Sequence, residues 1–139
     1  MKIDAPDVEY PAEVYWSQED KLASLDPDLR ARLERVMDHL RAEGYRPHLV
    51  YGWRSHGAQA RLVAAGKSWT HFSRHNVTGP DGRPKSRAAD LIDKRPEYQW
   101  TGPRAGEFFA RLCAHAEAEG LTCGARWDPG DPSHVELDP

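Results

Sequence analysis

The sequence of 139 residues lacks several features that mark specialised classes of protein. It contains no apolar run of membrane-spanning length, and its first residues have neither the basic start nor the apolar stretch of a secretory signal. We therefore expect synthesis in the cytoplasm and no insertion into a membrane. A net charge of −3 gives no global basic field, so a nucleic-acid partner is not expected.

Cysteine is scarce too, since Cys113 and Cys123 are the only two in the chain. Neither belongs to a CxxC pair of the kind that binds zinc, and we expect two buried free thiols rather than a disulfide. Internal repeats and low-complexity tracts are also missing. Hydrophobic residues make up 39% of the chain, and this length and composition predict a single domain over 1–139, which we expect to be a monomer.

Two amphipathic helices are the clearest local elements. The first is capped by Asp26, has Pro27 in its first turn and stops at Gly44. Its apolar stripe consists of Leu29, Leu33, Val36, Met37 and Leu40. The second is predicted over about 103–119 and stops at Gly120.

Short apolar or alternating segments predict strands between and after these helices. We expect strands over 46–53, 88–92, 121–123 and 134–137, and a short helix over about 55–65. Helices interspersed with short strands favour the α+β fold class.

Most of the seven histidines have an ordinary context within a helix, within a strand or near a turn. His75 and His134 differ because each lies in or beside a loop near unusual acids. Asp90 stands in an otherwise apolar segment, which predicts a buried carboxylate whose charge a metal would compensate. A His, Asp, His set leaves the fourth tetrahedral position of zinc open to water or a substrate carbonyl, as hydrolysis requires. The five that we interpret as ordinary are His39, His48, His56, His71 and His115.

Several segments resemble peptidase family M15, which contains L-alanyl-D-glutamate endopeptidases and D-Ala-D-Ala carboxypeptidases and shares its fold with hedgehog signalling domains. The S-x-H, A-x-D and D-x-x-H signatures of that family are matched by Ser73-Arg74-His75, Ala88-Ala89-Asp90 and Asp131-Pro132-Ser133-His134. Its upstream elements are matched by Tyr51-Gly52-Trp53-Arg54-Ser55, Gln59 and Gly66-Lys67-Ser68. The resemblance covers about 46–137 and implies a hedgehog/DD-peptidase-like fold, a small antiparallel sheet flanked by helices.

The resemblance implies a role for each matched residue. His75, Asp90 and His134 would bind one zinc ion, and Asp131 would be the catalytic base, held beside the metal in a loop braced by prolines. Arg54 resembles the family arginine that faces the substrate, where it would hold a carboxylate or stabilise a developing oxyanion.

Three further residues are expected around this centre. Ser73 would orient His75 or touch the substrate. Trp127 would form a wall of the substrate groove. Glu136 would be an acid that contacts a metal ligand without binding the metal itself. The last two also have a purely structural interpretation.

One stretch departs from the shorter family pattern, in which seven positions separate the first His from the Asp. Here the separation is fifteen, and we interpret 76–87 as an inserted loop that leaves both ligands at strand ends. A strong turn signal lies within it, Thr78-Gly79-Pro80-Asp81-Gly82. Ser86 stands where the family usually has glycine.

The D-x-x-H form of the last motif favours cleavage between L-Ala and D-Glu in the peptidoglycan stem peptide. Because no signal segment is visible, the chain resembles a compact phage endolysin that acts on the wall after release, and the alternative is a bacterial autolysin exported by another route. The alternatives are a D-Ala-D-Ala carboxypeptidase and a non-catalytic, zinc-stabilised binding module. A fourth hypothesis, an HNH-type nuclease, rests on His75-Asn76 and the basic residues Arg83, Lys85 and Arg87. Cobalt or manganese would fit the same ligand set.

Overall fold

The computed structural model describes residues 12–55, 59–60, 63–66 and 73–138. The main helices in these ranges are α1 (Gln18–Ala23), α2 (Pro27–Ala42) and α3 (Ala105–Ala118). The strands are β1 (Pro47–Tyr51), β2 (Ala88–Asp93), β3 (Thr122–Cys123) and β4 (His134–Glu136). Short 3-10 turns connect some of them, and the turn Arg74–Asn76 bears directly on the candidate site.

Helix α2 forms where its sequence signals predict it. The carboxylate of Asp26 accepts a hydrogen bond from the backbone nitrogen of Asp28 at 2.9 Å, and Pro27 occupies the first turn, where its missing N–H costs nothing. Gly44 follows the last turn with a φ of 92°, a conformation that favours glycine. All five residues of the predicted apolar stripe are buried, so this helix is confirmed.

The four strands form one antiparallel sheet in the order β1-β2-β4-β3. Every residue of β2 is buried, because this central strand is covered on both faces. The predicted α+β class, with a small antiparallel sheet flanked by helices, is confirmed.

The hydrophobic core lies where α2 and α3 pack with the sheet. Phe108 and Leu112 on α3, Leu33 on α2 and Leu91 on β2 are fully buried and belong to the same cluster. Each such side chain contributes roughly 1.5–3 kcal/mol to folding through its removal from water. The central strand β2 therefore packs against this hydrophobic core.

The observed elements are shorter than predicted at several ends and include one that was not predicted. Helix α1 is capped by Ser17, whose hydroxyl accepts a hydrogen bond from the backbone nitrogen of Asp20 at 3.0 Å, and this local signal could have revealed it. Of the helix predicted over 55–65, residues 59–60 and 63–64 are helical, and residues 56–58 and 61–62 lie outside the described ranges. None of the described helices has the length and apolar character needed to cross a membrane.

The two cysteines form a disulfide, so the expectation of free thiols is wrong. Cys113 lies on α3 and Cys123 on β3, and their Cα atoms are 5.5 Å apart, a separation typical of disulfides. Burial of both residues was predicted correctly. The pairing depends on how the chain turns back after Gly120 and could not be deduced from a spacing of ten residues.

Reduction of this disulfide is expected to lower the melting temperature by about 10 °C. The bond closes a loop of ten residues, and the loss of that constraint on the unfolded chain costs about 3 kcal/mol. Thermal unfolding followed by circular dichroism with and without reductant measures the shift. The double variant Cys113→Ala/Cys123→Ala is the control and should not respond to reductant. Two thiols titrating in the unreduced, denatured protein would show that the pair is open.

Asp93 at the end of β2 makes folding depend on pH. Its side chain is fully buried and accepts hydrogen bonds from Arg95 and from the backbone nitrogens of Arg46 and Arg95. Burial alone would raise the pKa of Asp93, but these hydrogen bonds outweigh it and hold the pKa below its usual value. The stabilisation is therefore complete above the ordinary aspartate pKa and is lost as pH falls through the lower, folded-state value.

Asp93→Asn is accordingly expected to destabilise the protein by about 2 kcal/mol at pH 7, because hydrogen bonds to a charged group are replaced by weaker ones. The difference from wild type should shrink as the pH is lowered below 4. Urea unfolding at pH 7 and below pH 4 measures the difference in the free energy of unfolding between the variant and wild type. Asp38→Asn, which alters an exposed carboxylate, is the matched control. An effect of Asp93→Asn that is independent of pH would contradict this explanation.

Candidate metal centre

Three side chains from separate parts of the chain meet beside the central strands. His75 lies in the turn Arg74–Asn76, Asp90 is the third residue of β2, and His134 is the first residue of β4. Asp90 and His134 are paired across β2 and β4, so the sheet register places them side by side. All three are buried, with exposed fractions of 2%, 7% and 6%.

The donor atoms of this group converge. Nε2 of His75 lies 3.2 Å from Oδ2 of Asp90, and Nδ1 of His134 lies 3.3 Å from Oδ1 of the same carboxylate. One ligand atom from each residue lies within 4.8 Å of the others. In the part of the chain that the structure describes, this is the one group of three or more His, Cys, Asp or Glu residues with that property.

The chemistry of these atoms fits a metal ion. Within the described residues, Nε2 of His75 and Oδ1 of Asp90 are buried and make no hydrogen bond. Buried polar atoms without a partner are costly, and a cation would satisfy both. Two imidazoles and a carboxylate are a donor set that zinc accepts, so the group could hold a metal ion.

Hydrogen bonds behind the two imidazoles determine which nitrogen of each ring faces inward. Nδ1 of His75 lies 2.7 Å from the carbonyl oxygen of Gly52, and since a carbonyl only accepts, this nitrogen carries the proton. Nε2 of His134 lies 2.8 Å from Oε1 of Glu136 in the same way. His75 therefore presents Nε2, and His134 presents Nδ1, to the centre.

A small network holds the turn that carries His75. Ser73 caps it, because its hydroxyl accepts a hydrogen bond from the backbone nitrogen of His75 at 3.0 Å. The side chain of Asn76 joins the turn to the neighbouring segment by donating to the carbonyl oxygen of Arg54 at 2.6 Å. Ser73 thus orients the backbone of His75, whereas the partner of the imidazole itself is Gly52. The bridging amide of Asn76 was not predicted.

Gly52 can reach His75 only because it has no side chain. A Cβ atom at this position would lie 2.6 Å from the hydroxyl oxygen of Ser24 and 2.7 Å from the carbonyl oxygen of Lys21. The resemblance includes this glycine, but its contact with the imidazole follows from the tertiary structure alone.

The guanidinium of Arg54 lies against the carboxylate of Asp90. Its NH2 group is 3.0 Å from Oδ2 of Asp90, its NH1 group donates to Gln59 at 2.7 Å, and it stacks over the ring of Tyr51 at 4.2 Å. Arg54 is buried, with an exposed fraction of 7%. The structure therefore places a fixed positive charge beside Asp90.

Asp131 lies at the open edge of the centre. Its Oδ2 is 3.9 Å from Nδ1 of His134, and 42% of its side chain is exposed. The loop is held by the backbone nitrogen of Asp131, which donates to the carbonyl oxygen of Gly124 at 2.8 Å. Burial and the nearby charge of Asp90 raise the pKa of Asp131. A carboxylate with a raised pKa next to a ligand is suited to exchanging protons.

The pKa shifts within the group favour the ligand form of Asp90 and His75 but not that of His134. Burial acts to raise the pKa of Asp90, but the nearby imidazoles of His75 and His134 hold it well below its usual range. Burial lowers the pKa of His75. For His134 burial acts downward as well, yet the adjacent carboxylates of Asp90 and Glu136 outweigh it and raise the pKa to about 9. Asp90 is therefore an anion and His75 a neutral imidazole at neutral pH, whereas His134 is protonated in the metal-free group and would release a proton when a metal binds.

Other predicted features occupy the surroundings of the centre. The half-buried ring of Trp127 lies 4.8 Å from that of His134, centroid to centroid, and forms one side of the site.

In the inserted stretch 76–87, the backbone nitrogen of Gly82 donates to the carbonyl oxygen of Gly79, which confirms the predicted turn. The two candidate ligands on either side of this stretch do not lie at strand ends as expected, because His75 is in a turn and Asp90 is inside β2. Ser86 is buried and donates to the carbonyl oxygen of Ala88 at 2.6 Å.

The remaining histidines lie elsewhere or outside the described ranges. His39 and His115 stack on each other at 5.3 Å, and His115 contacts Glu43. His48 is a half-buried residue of β1. His56 and His71 lie outside the described residues, as do Lys67 and Ser68 of the matched upstream element.

Comparison with known proteins shows a similar fold in a solved structure. No family model and no curated protein matches the sequence. The crystal structure of the Serratia marcescens L-Ala D-Glu endopeptidase ChiX matches with a TM-score of 0.63 and 22% sequence identity. The match covers 95% of this chain and 91% of that one. The chain therefore has the fold of that endopeptidase across nearly its whole length.

Proposed function

We propose that this protein is a zinc-dependent peptidoglycan hydrolase that cleaves the bond between L-Ala and D-Glu of the stem peptide. The observation that carries the proposal is the convergence of His75, Asp90 and His134, buried and with their inner atoms facing one another. The fold shared with an L-Ala D-Glu endopeptidase supports the reaction class. The D-x-x-H form of the last motif supports the choice of bond.

In this proposal Nε2 of His75, the carboxylate of Asp90 and Nδ1 of His134 hold one zinc ion. When bound there, zinc supplies Lewis-acid polarisation of the scissile carbonyl and lowers the pKa of water. The outer hydrogen bonds to Gly52 and Glu136 keep both imidazoles oriented before any ion arrives, which reduces the cost of forming the site.

Asp131 acts as the general base and then as the general acid. Its carboxylate accepts the proton of the attacking water and returns it to the leaving amine, so no covalent acyl-enzyme forms. The raised pKa supports this role, because a more basic carboxylate takes a proton from water more readily.

The other predicted residues have supporting roles. Arg54 keeps positive charge beside the site and stabilises the negative charge that develops on the scissile carbonyl oxygen. The ring of Trp127 forms a wall against which the stem peptide lies. Ser73 and Glu136 fix the two histidines, the first through the backbone and the second through the imidazole.

Digestion of purified peptidoglycan by the zinc-loaded protein, followed by amino-terminal labelling and mass spectrometry, tests the proposal. New amino-terminal D-Glu is expected, and a chelator should stop its release until zinc is restored. Release of free D-Ala alone would replace the proposal with a carboxypeptidase. Zinc binding without any product would indicate a non-catalytic module. A parallel incubation with plasmid DNA should leave it intact, since metal-dependent nicking would revive the nuclease hypothesis.

A further inference from the structure

Arg74 is connected to the candidate metal centre through Glu136, which contacts His134. The Nε atom of this arginine lies 2.7 Å from Oε2 of Glu136, and its NH2 group lies 3.1 Å from Oδ1 of Asp138. Its NH1 group donates to the carbonyl oxygen of Leu137 at 3.2 Å. Arg74 therefore contacts three consecutive residues, the last residue of β4 and the two that follow it.

Glu136 has a different partner on each of its carboxylate oxygens. Oε1 faces Nε2 of His134 at 2.8 Å, and Oε2 faces Arg74 at 2.7 Å. Only 12% of the Glu136 side chain is exposed, compared with 36% for Arg74. A carboxylate held on both oxygens cannot rotate without breaking a charge-assisted hydrogen bond, so its orientation is determined by Arg74 as well as by His134.

The backbone of Arg74 is itself anchored to the sheet. Its carbonyl oxygen accepts a hydrogen bond from the backbone nitrogen of Arg87 at 3.0 Å, and the carbonyl oxygen of Arg87 accepts one from Leu137 at 2.8 Å. Arg74 also directly precedes His75 in the same capped turn. One turn thus supplies a candidate ligand, His75, and, from the residue before it, a support for the other candidate histidine ligand, His134.

We propose that Arg74 is a positioning residue, which holds Glu136 so that His134 presents Nδ1 to the metal. This inference rests on the proposed metal site. Without the guanidinium, Oε2 of Glu136 loses its partner and the carboxylate is free to turn toward water. The imidazole of His134 then loses the support that selects its orientation, and part of the metal affinity is lost with it.

Zinc affinity, measured by competition with a chromophoric chelator, tests the role in Arg74→Gln and Arg74→Lys. Replacing an outer partner of a ligand typically costs 10–100-fold, and for a residue one contact further out we expect about 5-fold for Arg74→Gln. Arg74→Lys should recover part of the loss, since an ammonium reaches one carboxylate but cannot span two. The absorption spectrum of the cobalt-loaded protein should shift in Arg74→Gln, because the geometry at His134 changes.

Arg30→Gln is the matched control. Arg30 also bridges two carboxylates, Glu19 at 2.9 Å and Glu34 at 3.0 Å, and has a comparable side-chain exposure of 31%. Its loss should lower the melting temperature of the metal-free protein no more than Arg74→Gln does, because both of its partners are exposed, and should leave zinc affinity within twofold of wild type. If Arg74→Gln fails to fold, the zinc affinity of Arg74→Lys is compared with that of wild type instead.

A double-variant cycle decides whether Arg74 acts through Glu136. Adding Arg74→Gln to Glu136→Gln should weaken zinc binding no further, because the intermediate contact is already gone. Unchanged affinity and cobalt spectrum in Arg74→Gln, or losses that add in the double variant, would overturn the inference and leave the metal site standing. A wild-type protein that binds no zinc would overturn the proposed site and this inference together.

Discussion

His134→Ala is expected to abolish peptidoglycan digestion and to weaken zinc binding by more than about 100-fold. The loss of an outer partner costs up to about that factor, so removal of a ligand itself should exceed it. The variant also leaves Asp90 without the imidazole that lies 3.3 Å away. Metal content after dialysis, measured together with release of soluble wall fragments, gives both quantities from one preparation.

His48→Ala is the control for this experiment. His48 lies on β1 of the same sheet but is not a member of the converging group, so its removal should leave metal content and digestion unchanged. Retention of stoichiometric zinc by His134→Ala would contradict the assignment of this ligand. Loss of zinc with full digestion would separate the metal from the reaction.

The second large effect is expected from Asp131→Asn, in which kcat should fall by about 10²–10⁴-fold while zinc stays bound. The carboxamide keeps the shape of the side chain but cannot accept a proton from water, which removes general base catalysis. Because Asp131 lies 3.9 Å from Nδ1 of His134 and outside the three converging ligands, metal content should not change. Steady-state hydrolysis of a synthetic stem peptide at saturating concentration measures kcat, and metal analysis of the same sample measures occupancy.

Asp128→Asn provides the matched control, since Asp128 is an exposed acid of the same loop. This variant should retain kcat. Normal turnover in Asp131→Asn would remove the base from the mechanism and leave the metal centre in place. Loss of zinc would instead make Asp131 a ligand.

Local signals predicted most of the regular structure. Helix α2 formed between the cap at Asp26 and the stop at Gly44 because a cap, a proline and an apolar stripe act within a few residues of one another. Helix α1 was missed because it is only six residues long and its capping serine precedes no clear stripe. The predicted limits of β1, β3 and β4 were one or two residues too wide, because apolar alternation continues past the last ladder hydrogen bond, whereas β2 extends one residue beyond its predicted end.

The sequence predicted which three residues converge in the candidate site, but not the hydrogen bonds that hold them in place. Family resemblance singled out His75, Asp90 and His134, and the fold brings these three together. The contact of Gly52 with His75, and that of Arg74 with Glu136, joins residues 23 and 62 positions apart in sequence, and no local pattern encodes such pairs.

By itself the sequence determined the long helices, the central strand and the identity of the side chains that meet beside it, because periodicity, caps and motif spacing are properties of neighbouring residues. Tertiary structure alone decided that Cys113 and Cys123 pair, and that His75 and His134 turn different nitrogens inward. Those outcomes depend on the register of β2 with β4 and on how distant segments pack. The hydrogen-bond partner of a buried group is chosen by whatever the fold places next to it.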